Sequence, residues 1–452
     1  METAKADIVS RELIKPSSPT PNERKQLKQS LLDQFAPELY IRLVFFYQNQ
    51  SPTYPSDPSQ NTLHLKKSLS ECLTKFYPLA GKLSEDHLSI DCDDSGALFV
   101  EAKVDAPLFQ AVHSAPYESF RQYLPFDPFP PEMFPRNEIL LAVQINWFEC
   151  GGSAIGVCIS HKVADFASLV TFMNSWAAIN RGESIKFLPD FDIGRNLFPP
   201  RDVPFKLPPS ELKGKLVGKR FLFTKEKLME LKDLAISSSS VKDPSRVEVV
   251  TAFLVNQLIK VARSKKNSDQ GEATKIKFLQ SVNLRSKISS LKQASKKNEF
   301  QFGNVVAVAI ASFSTPDDNE TQEGFRDDHY CDLVSLARSS IRKVDDDYVW
   351  NFLVPFMNNM GTGSTSGTNQ QQQQPEMMMP FTSWCRSSTY EADFGWGKPL
   401  SVVPAGDPSI PTTMLTSTEN EDVIEARIAM LEDEFALFSD ELLSLELTGL
   451  HF

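Results

Sequence analysis

Gly151-Gly152-Ser153-Ala154-Ile155-Gly156-Val157-Cys158-Ile159-Ser160-His161-Lys162-Val163-Ala164-Asp165 runs an apolar strand straight into a histidine, with an aspartate four residues later. Ile155, Val157 and Ile159 alternate with small residues, the period-two signature of a strand packed on one face. Gly156 and Cys158 on the other face leave room for a neighbouring backbone or a ligand. Beyond the histidine, Leu169, Phe172, Met173 and Trp176 fall on one side of a helix that Asp165 can cap. His161 therefore sits between a strand's end and a helix's start. Such a junction fixes a side chain while leaving it open to a ligand.

Upstream, Leu141, Val143, Ile145 and Trp147 alternate with Ala142, Gln144 and Asn146, which predicts a half-buried strand turned back at Gly151-Gly152. Residues 6–14 alternate like a strand and stop at the stiff Pro16-Ser17-Ser18-Pro19-Thr20-Pro21. Further strands are expected at Ile41 to Tyr47, 88–91 and 97–102. Leu65, Leu69, Cys72, Leu73 and Phe76 mark a helix that ends at Tyr77-Pro78. Residues 190–215 hold Pro199, Pro200, Pro204, Pro208 and Pro209 and read as an interdomain linker. Domains are thus expected at 1–189 and 216–452.

In the second half, Ser245-Arg246-Val247-Glu248 is a capping box before a helix carrying Val250, Phe253, Leu254 and Leu258. Ile276, Phe278, Val282 and Leu284 predict a strand, Val305 to Ala311 a buried strand, and Val334 to Arg342 a short helix. Asn358 to Pro375 reads as an exposed, length-tolerant loop, and Met377-Met378-Met379 as packing at its foot.

The chain has 452 residues, enough for two cores, and a net charge of −11 that argues against nucleic acid or anionic membrane as the main partner. The six cysteines show no CxxC and no metal-ligand spacing, so they read as free thiols in a reducing compartment. Residues 1–12 lack a secretory signal and no apolar run approaches a membrane span. The expectation is a cytoplasmic protein that binds neither nucleic acid nor membrane and holds no metal.

A lone histidine at such a junction is either a packed ring or a general base. No GxSxG and no second histidine at metal spacing accompany it, so direct proton abstraction from a substrate suits it better than a covalent mechanism. A second cluster follows at Phe381-Thr382-Ser383-Trp384-Cys385-Arg386 and Asp393-Phe394-Gly395-Trp396-Gly397. Its glycines permit a tight turn. With no Gly-rich phosphate loop and no HRD, its DFG is not that of a kinase.

HKVAD at 161–165 and DFGWG at 393–397, in this order across the middle of the chain, resemble the paired signatures of the plant BAHD acyl-CoA-dependent acyltransferases. Phe76-Tyr77-Pro78-Leu79-Ala80-Gly81-Lys82-Leu83, Val282-Asn283-Leu284-Arg285 and Phe302-Gly303-Asn304 extend the likeness over nearly the whole chain. They are most similar to the vinorine synthase-like branch, whose members acylate alkaloids, terpenoids and other alcohols.

The resemblance implies an α/β fold of two similar domains, each a mixed β-sheet flanked by helices, chloramphenicol acetyltransferase-like. A long crossover joins them, a channel runs between them, and part of 376–400 packs on the first domain. It implies His161 as general base, Thr382 and Trp384 as support for the oxyanion, and Asp165 paired with Arg285 as a structural brace. Asp393, Phe394, Gly395, Trp396 and Gly397 would be architectural. Ser245, Leu400, Ser401 and Val402 would contact CoA, while Phe35 and Tyr40 would line the acceptor side. The co-substrate would be acyl-CoA, acetyl-CoA in this branch, with a small-molecule alcohol as acceptor, no tightly bound cofactor and a monomeric enzyme. Peptide-synthetase condensation domains share the histidine motif. They show two adjacent histidines and a glycine after the aspartate, where this chain has Ser160 and Phe166. A silent relative that binds a metabolite or protein partner stays open at this point.

Overall fold

Alternating apolar residues build two six-stranded sheets, and the chain crosses between them more than once. The structure, a computed structural model, describes residues 5–48, 57–113, 117–125, 138–202, 214–238, 241–265, 275–295, 299–314, 329–359, 376–406, 408, 410–420, 422–438 and 440–446. Its principal strands are β1 (Ala6–Ile14), β2 (Tyr40–Tyr47), β3 (Ala97–Val104), β4 (Leu141–Phe148), β5 (Ser153–Ser160), β6 (Leu216–Phe223), β7 (Lys275–Asn283), β8 (Val306–Ser314), β9 (Glu376–Ser383), β10 (Ser401–Pro404), β11 (Thr412–Ser417) and β12 (Ile424–Leu431). The first sheet has the order β1-β3-β4-β5-β2-β10 and the second β6-β12-β11-β9-β7-β8. Both mix parallel and antiparallel neighbours.

Helix α1 (Leu31–Phe35) borders the space between the sheets, while α2 (Pro58–Lys75), α3 (Phe166–Asn180), α4 (Lys225–Ser238), α5 (Arg246–Lys265) and α6 (Tyr330–Arg342) supply the outer layers. Helices α2 and α3 cover one face of the first sheet, where Leu65, Leu69, Phe172 and Trp176 meet Ile155, Val157 and Ile159. Helices α4, α5 and α6 cover one face of the second sheet over Phe278, Phe381 and Ile428. Among the described residues no helix is long and apolar enough to cross a membrane.

The half-buried reading of Leu141–Phe148 is corrected, because both faces of β4 are covered. Its polar members are not solvated. Gln144 Nε2 donates to the Gln122 carbonyl at 2.9 Å, and Asn146 Nδ2 to the Tyr123 carbonyl at 3.1 Å. The segment Tyr117–Tyr123 thus caps the second face, with Phe120 and Tyr123 in its core. The space beside Gly156 belongs to that backbone and not to a ligand, since a Cβ there would lie 1.9 Å from the Tyr123 carbonyl oxygen.

A second correction concerns 305–311. Val305, Ala307, Ala309 and Ala311 are buried, while Val308 and Ile310 on the opposite face are 39% and 46% exposed. This strand, β8, is the edge of the second sheet. The crossover is not featureless either. Leu188–Asp190 pairs with Glu299–Gln301, and Ile193–Leu197 forms a short helix. Residues 203–213 lie outside the described set, as do 360–375 of the expected exposed loop. Met379 packs into the second core, while Met378 is exposed.

The chain's second half also completes its first sheet. β10 pairs antiparallel with β2, setting Ser401 opposite Phe46 and Pro404 opposite Leu43. Just before it, Phe394 and Trp396 enter the first core. Within 376–400, β9 at 376–383 belongs to the second sheet, whereas Phe394 and Trp396 lie in the first core.

Candidate active site

Between the sheets lies a cavity of about 540 Å³, and His161 is in its wall. The uncovered face of the second sheet supplies much of the lining. In β9, Met379 and Phe381 turn into the second core, so strand alternation directs Pro380, Thr382 and Trp384 to the cavity. The first domain contributes Phe35, Tyr40, His161 and Phe166. Tyr40 donates its hydroxyl to the Ile139 carbonyl at 2.6 Å, so it offers the cavity mainly a ring. Phe166 stacks face to face on Trp384, with centroids 4.2 Å apart and planes 3° from parallel. That pair joins the two domains beside the histidine.

The His161 turn is held from several directions. His161 N–H donates to the Leu39 carbonyl at 2.8 Å. The buried Lys162 reaches away from the cavity and donates through Nζ to the Gln34 carbonyl at 2.9 Å. Its own carbonyl accepts from Gln29 Nε2 at 2.6 Å.

Asn304 decides which ring nitrogen carries the proton. Its Nδ2 donates to Asp33 Oδ1 at 2.9 Å and to the His161 carbonyl at 2.7 Å. Its Oδ1 is then left facing His161 Nδ1 at 2.9 Å and can only accept. Nδ1 therefore holds the hydrogen, and Nε2 keeps a lone pair for chemistry. Asp33 fixes the amide's orientation, since it also accepts the Asn304 backbone N–H at 2.7 Å. Asp33 is in turn held by a reciprocal box with Ser30 at the start of α1. Burial holds the His161 ring below the ordinary histidine range. Asp165, the Asn304 bond and Asp33 pull the other way without overcoming it. The His161 ring is thus neutral at physiological pH.

Asp165 has no hydrogen bond to His161. It caps α3 by accepting Ser168 N–H at 2.8 Å, accepts Val305 N–H at 3.0 Å, and takes a two-pronged ion pair from Arg285 at 2.7 and 3.2 Å. Arg285 is buried and donates as well to Ser168 Oγ and to the Gly303 and Gln301 carbonyls. Burial alone would raise the Asp165 carboxyl, but the Arg285 charge and these donors hold it below the ordinary range. Gly303, at φ +127°, lets the chain turn so that the brace and Asn304 come from adjacent residues.

The Asp393–Gly397 turn does not line the cavity. Asp393 accepts the N–H groups of Gly395 and Gly397 at 2.8 and 2.9 Å, and both glycines have positive φ. Phe394 and Trp396 are buried against Tyr47, Trp147 and Trp176. Ser245, Leu400, Ser401 and Val402 are not brought to the cavity. Ser245 is bonded reciprocally to Glu248 at the start of α5, and Ser401–Pro404 is sheet. Among the described residues, no cluster of His, Cys, Asp and Glu is arranged to hold a metal ion.

Asn304 and Asp33 are site residues to which sequence reasoning gave no role, although Phe302-Gly303-Asn304 carries part of the resemblance. Their local signals were the Ser30-to-Asp33 capping spacing and a glycine before the asparagine.

A model of the transferase family matches residues 4–444. The chain is 40% identical to stemmadenine O-acetyltransferase of Catharanthus roseus over 444 residues and to vinorine synthase of Rauvolfia serpentina over 441, each covering 97% of both chains. The vinorine synthase crystal structure superposes with a TM-score of 0.80 at 38% identity, covering 98% of this chain and 99% of that one. F. sporotrichioides TRI101 complexed with coenzyme A and T-2 shares the fold, at TM-score 0.67 and 19% identity, over 93% and 99%. The chain belongs to this transferase family, the BAHD acyltransferases. It is an acyltransferase that takes acyl-CoA as co-substrate.

Proposed function

We propose that this protein transfers an acyl group, in the first place acetyl, from acyl-CoA to a hydroxyl of a plant specialised metabolite of alkaloid or terpenoid type. His161 acts as general base in a ternary complex. The observation that carries this reading is the His161 ring in the cavity wall, with Nδ1 engaged by Asn304 and Nε2 left as acceptor. The acetyl donor and the metabolite class rest on the named relatives, one of them an O-acetyltransferase.

In this mechanism Nε2 takes the acceptor's hydroxyl proton as its oxygen attacks the thioester carbonyl. The new C–O bond makes a tetrahedral oxyanion, which collapses, breaks the C–S bond and expels the CoA thiolate. The imidazolium returns its proton to that sulfur. Asn304 accepts the Nδ1 hydrogen throughout and keeps the ring in place, as a positioning residue. Thr382 and Trp384 line the same cavity, which supports the reading that they donate to the oxyanion. Each such donor lowers a barrier by about 3 kcal/mol. The apolar lining excludes water and strengthens these interactions.

The test is release of free CoA and mass spectrometry of products, with acetyl-CoA and a panel of polycyclic alcohols. Acylated product from wild type and none from His161→Ala is the expected result. Tight metabolite binding with no turnover on any acceptor would make it a binding protein.

A further inference from the structure

The mouth of the cavity carries an element that no catalytic role accounts for. Asp346–Tyr348, Val349–Leu353 and Val354–Asn359 form one helical run whose middle is a π-helix, a rare form that recurs at functional sites. Val349, Leu353 and Met357 are its buried side. One residue before each stand Tyr348, Phe352 and Phe356, all lining the cavity. Their rings follow one another at 5.3 and 6.0 Å, and those of Phe352 and Phe356 lie within 6° of parallel. The Tyr348 hydroxyl donates to the Val308 carbonyl at 2.9 Å, which pins the run to the edge strand β8. Phe352 and Phe356 are each 50% exposed, facing the same cavity as the half-exposed Val308 and Ile310. Apolar surface concentrated at one opening marks a binding site, and its continuity with the His161 cavity names the occupant as the acceptor.

We propose that the Tyr348–Phe352–Phe356 ladder is the specificity surface for the acceptor and holds the apolar face of a fused polycyclic alcohol whose hydroxyl reaches His161. This rests on the acyl-transfer reading above. Three successive rings match the length of several fused rings, whereas a single-ring alcohol would touch one rung and gain a fraction of the contact. Because the Tyr348 hydroxyl is engaged, the ladder offers ring surface and selects shape.

The experiment compares wild type, Phe352→Ala and the double variant Phe352→Ala/Phe356→Ala with acetyl-CoA and two acceptors, a tetracyclic steroid alcohol and benzyl alcohol. Wild type should prefer the tetracycle. The ratio of kcat/KM values should fall about tenfold in the double variant, mainly through KM for the tetracycle. Phe352→Tyr should recover most of it. Equal ratios in wild type and double variant, or a wild-type preference for benzyl alcohol, overturn the proposal. Fluorescence titration with the tetracycle separates the two readings. Wild type that binds it at least tenfold tighter than the double variant, yet transfers no acetyl group to it or to any alcohol of the panel, refutes acyl transfer and keeps the ladder. Transfer with equal binding refutes the ladder alone. The altered rings are half-exposed, so unchanged melting temperatures should accompany these results.

Discussion

The turns at His161–Asp165 and Asp393–Gly397 are each held by an aspartate that accepts backbone N–H groups. Asp165 takes those of Ser168 and Val305, and Asp393 those of Gly395 and Gly397. Their surroundings differ. Asp165 is braced by a buried arginine from the second domain, and its turn delivers a histidine to the space between domains. Asp393 has glycines on either side of a tryptophan, and its turn delivers Phe394 and Trp396 into the first core. A signature aspartate therefore reports that a turn must be rigid. Whether rigidity serves chemistry or packing depends on what the turn presents and where.

Four measurements can break or sharpen that contrast. The largest effect belongs to His161→Ala, which should lower kcat by about 10²–10⁴-fold with little change in melting temperature. Comparable losses of activity and stability would mean the ring is chiefly packing. Asp165→Asn should remove about 3 kcal/mol of stability by leaving Arg285 buried and under-paired, with activity falling as the turn loosens. If activity vanished while the melting temperature held, Asp165 would be acting on His161 and not bracing the turn.

Trp396→Ala should cost about 3 kcal/mol or more through its core cavity, while kcat per folded molecule stays within a few fold of wild type. A selective loss of kcat would put the second turn in the chemistry. The smallest effect is the pH dependence of His161. Its folded value lies below the unfolded one, so its contribution to stability is complete above about pH 6.5 and is lost as pH falls below that. The melting-temperature gap between wild type and His161→Gln should therefore narrow from pH 8 towards pH 5.5. The acid limb of kcat/KM should likewise fall below pH 6.5. A limb above pH 7 would show a charge-stabilised, raised histidine.

Much of the fold was legible because local pattern and burial agreed. Ile155, Val157 and Ile159, and Leu65 to Phe76, point where their periods say. Gln144 and Asn146 misled because their partners are backbone carbonyls at Gln122 and Tyr123, which no alternation can reveal. The Asp33–Asn304–His161 chain was illegible for the same reason, since its members meet only when both domains are assembled. The ladder was within reach. Tyr348, Phe352 and Phe356 stand at i, i+4 and i+8, one residue ahead of the apolar stripe Val349, Leu353 and Met357. Two adjacent stripes of different exposure describe a helix with two customers, a core and a ligand.

The pairing of β10 with β2 also bears on how this protein is made. A ribosome releases the N-terminal strands first, yet the strand Tyr40–Tyr47 has no neighbour on its outer edge until Ser401–Pro404 has emerged. Through most of synthesis the nascent first domain carries an open sheet edge and lacks the rings of Phe394 and Trp396 in its core. Truncation before residue 404 would thus yield two incomplete domains.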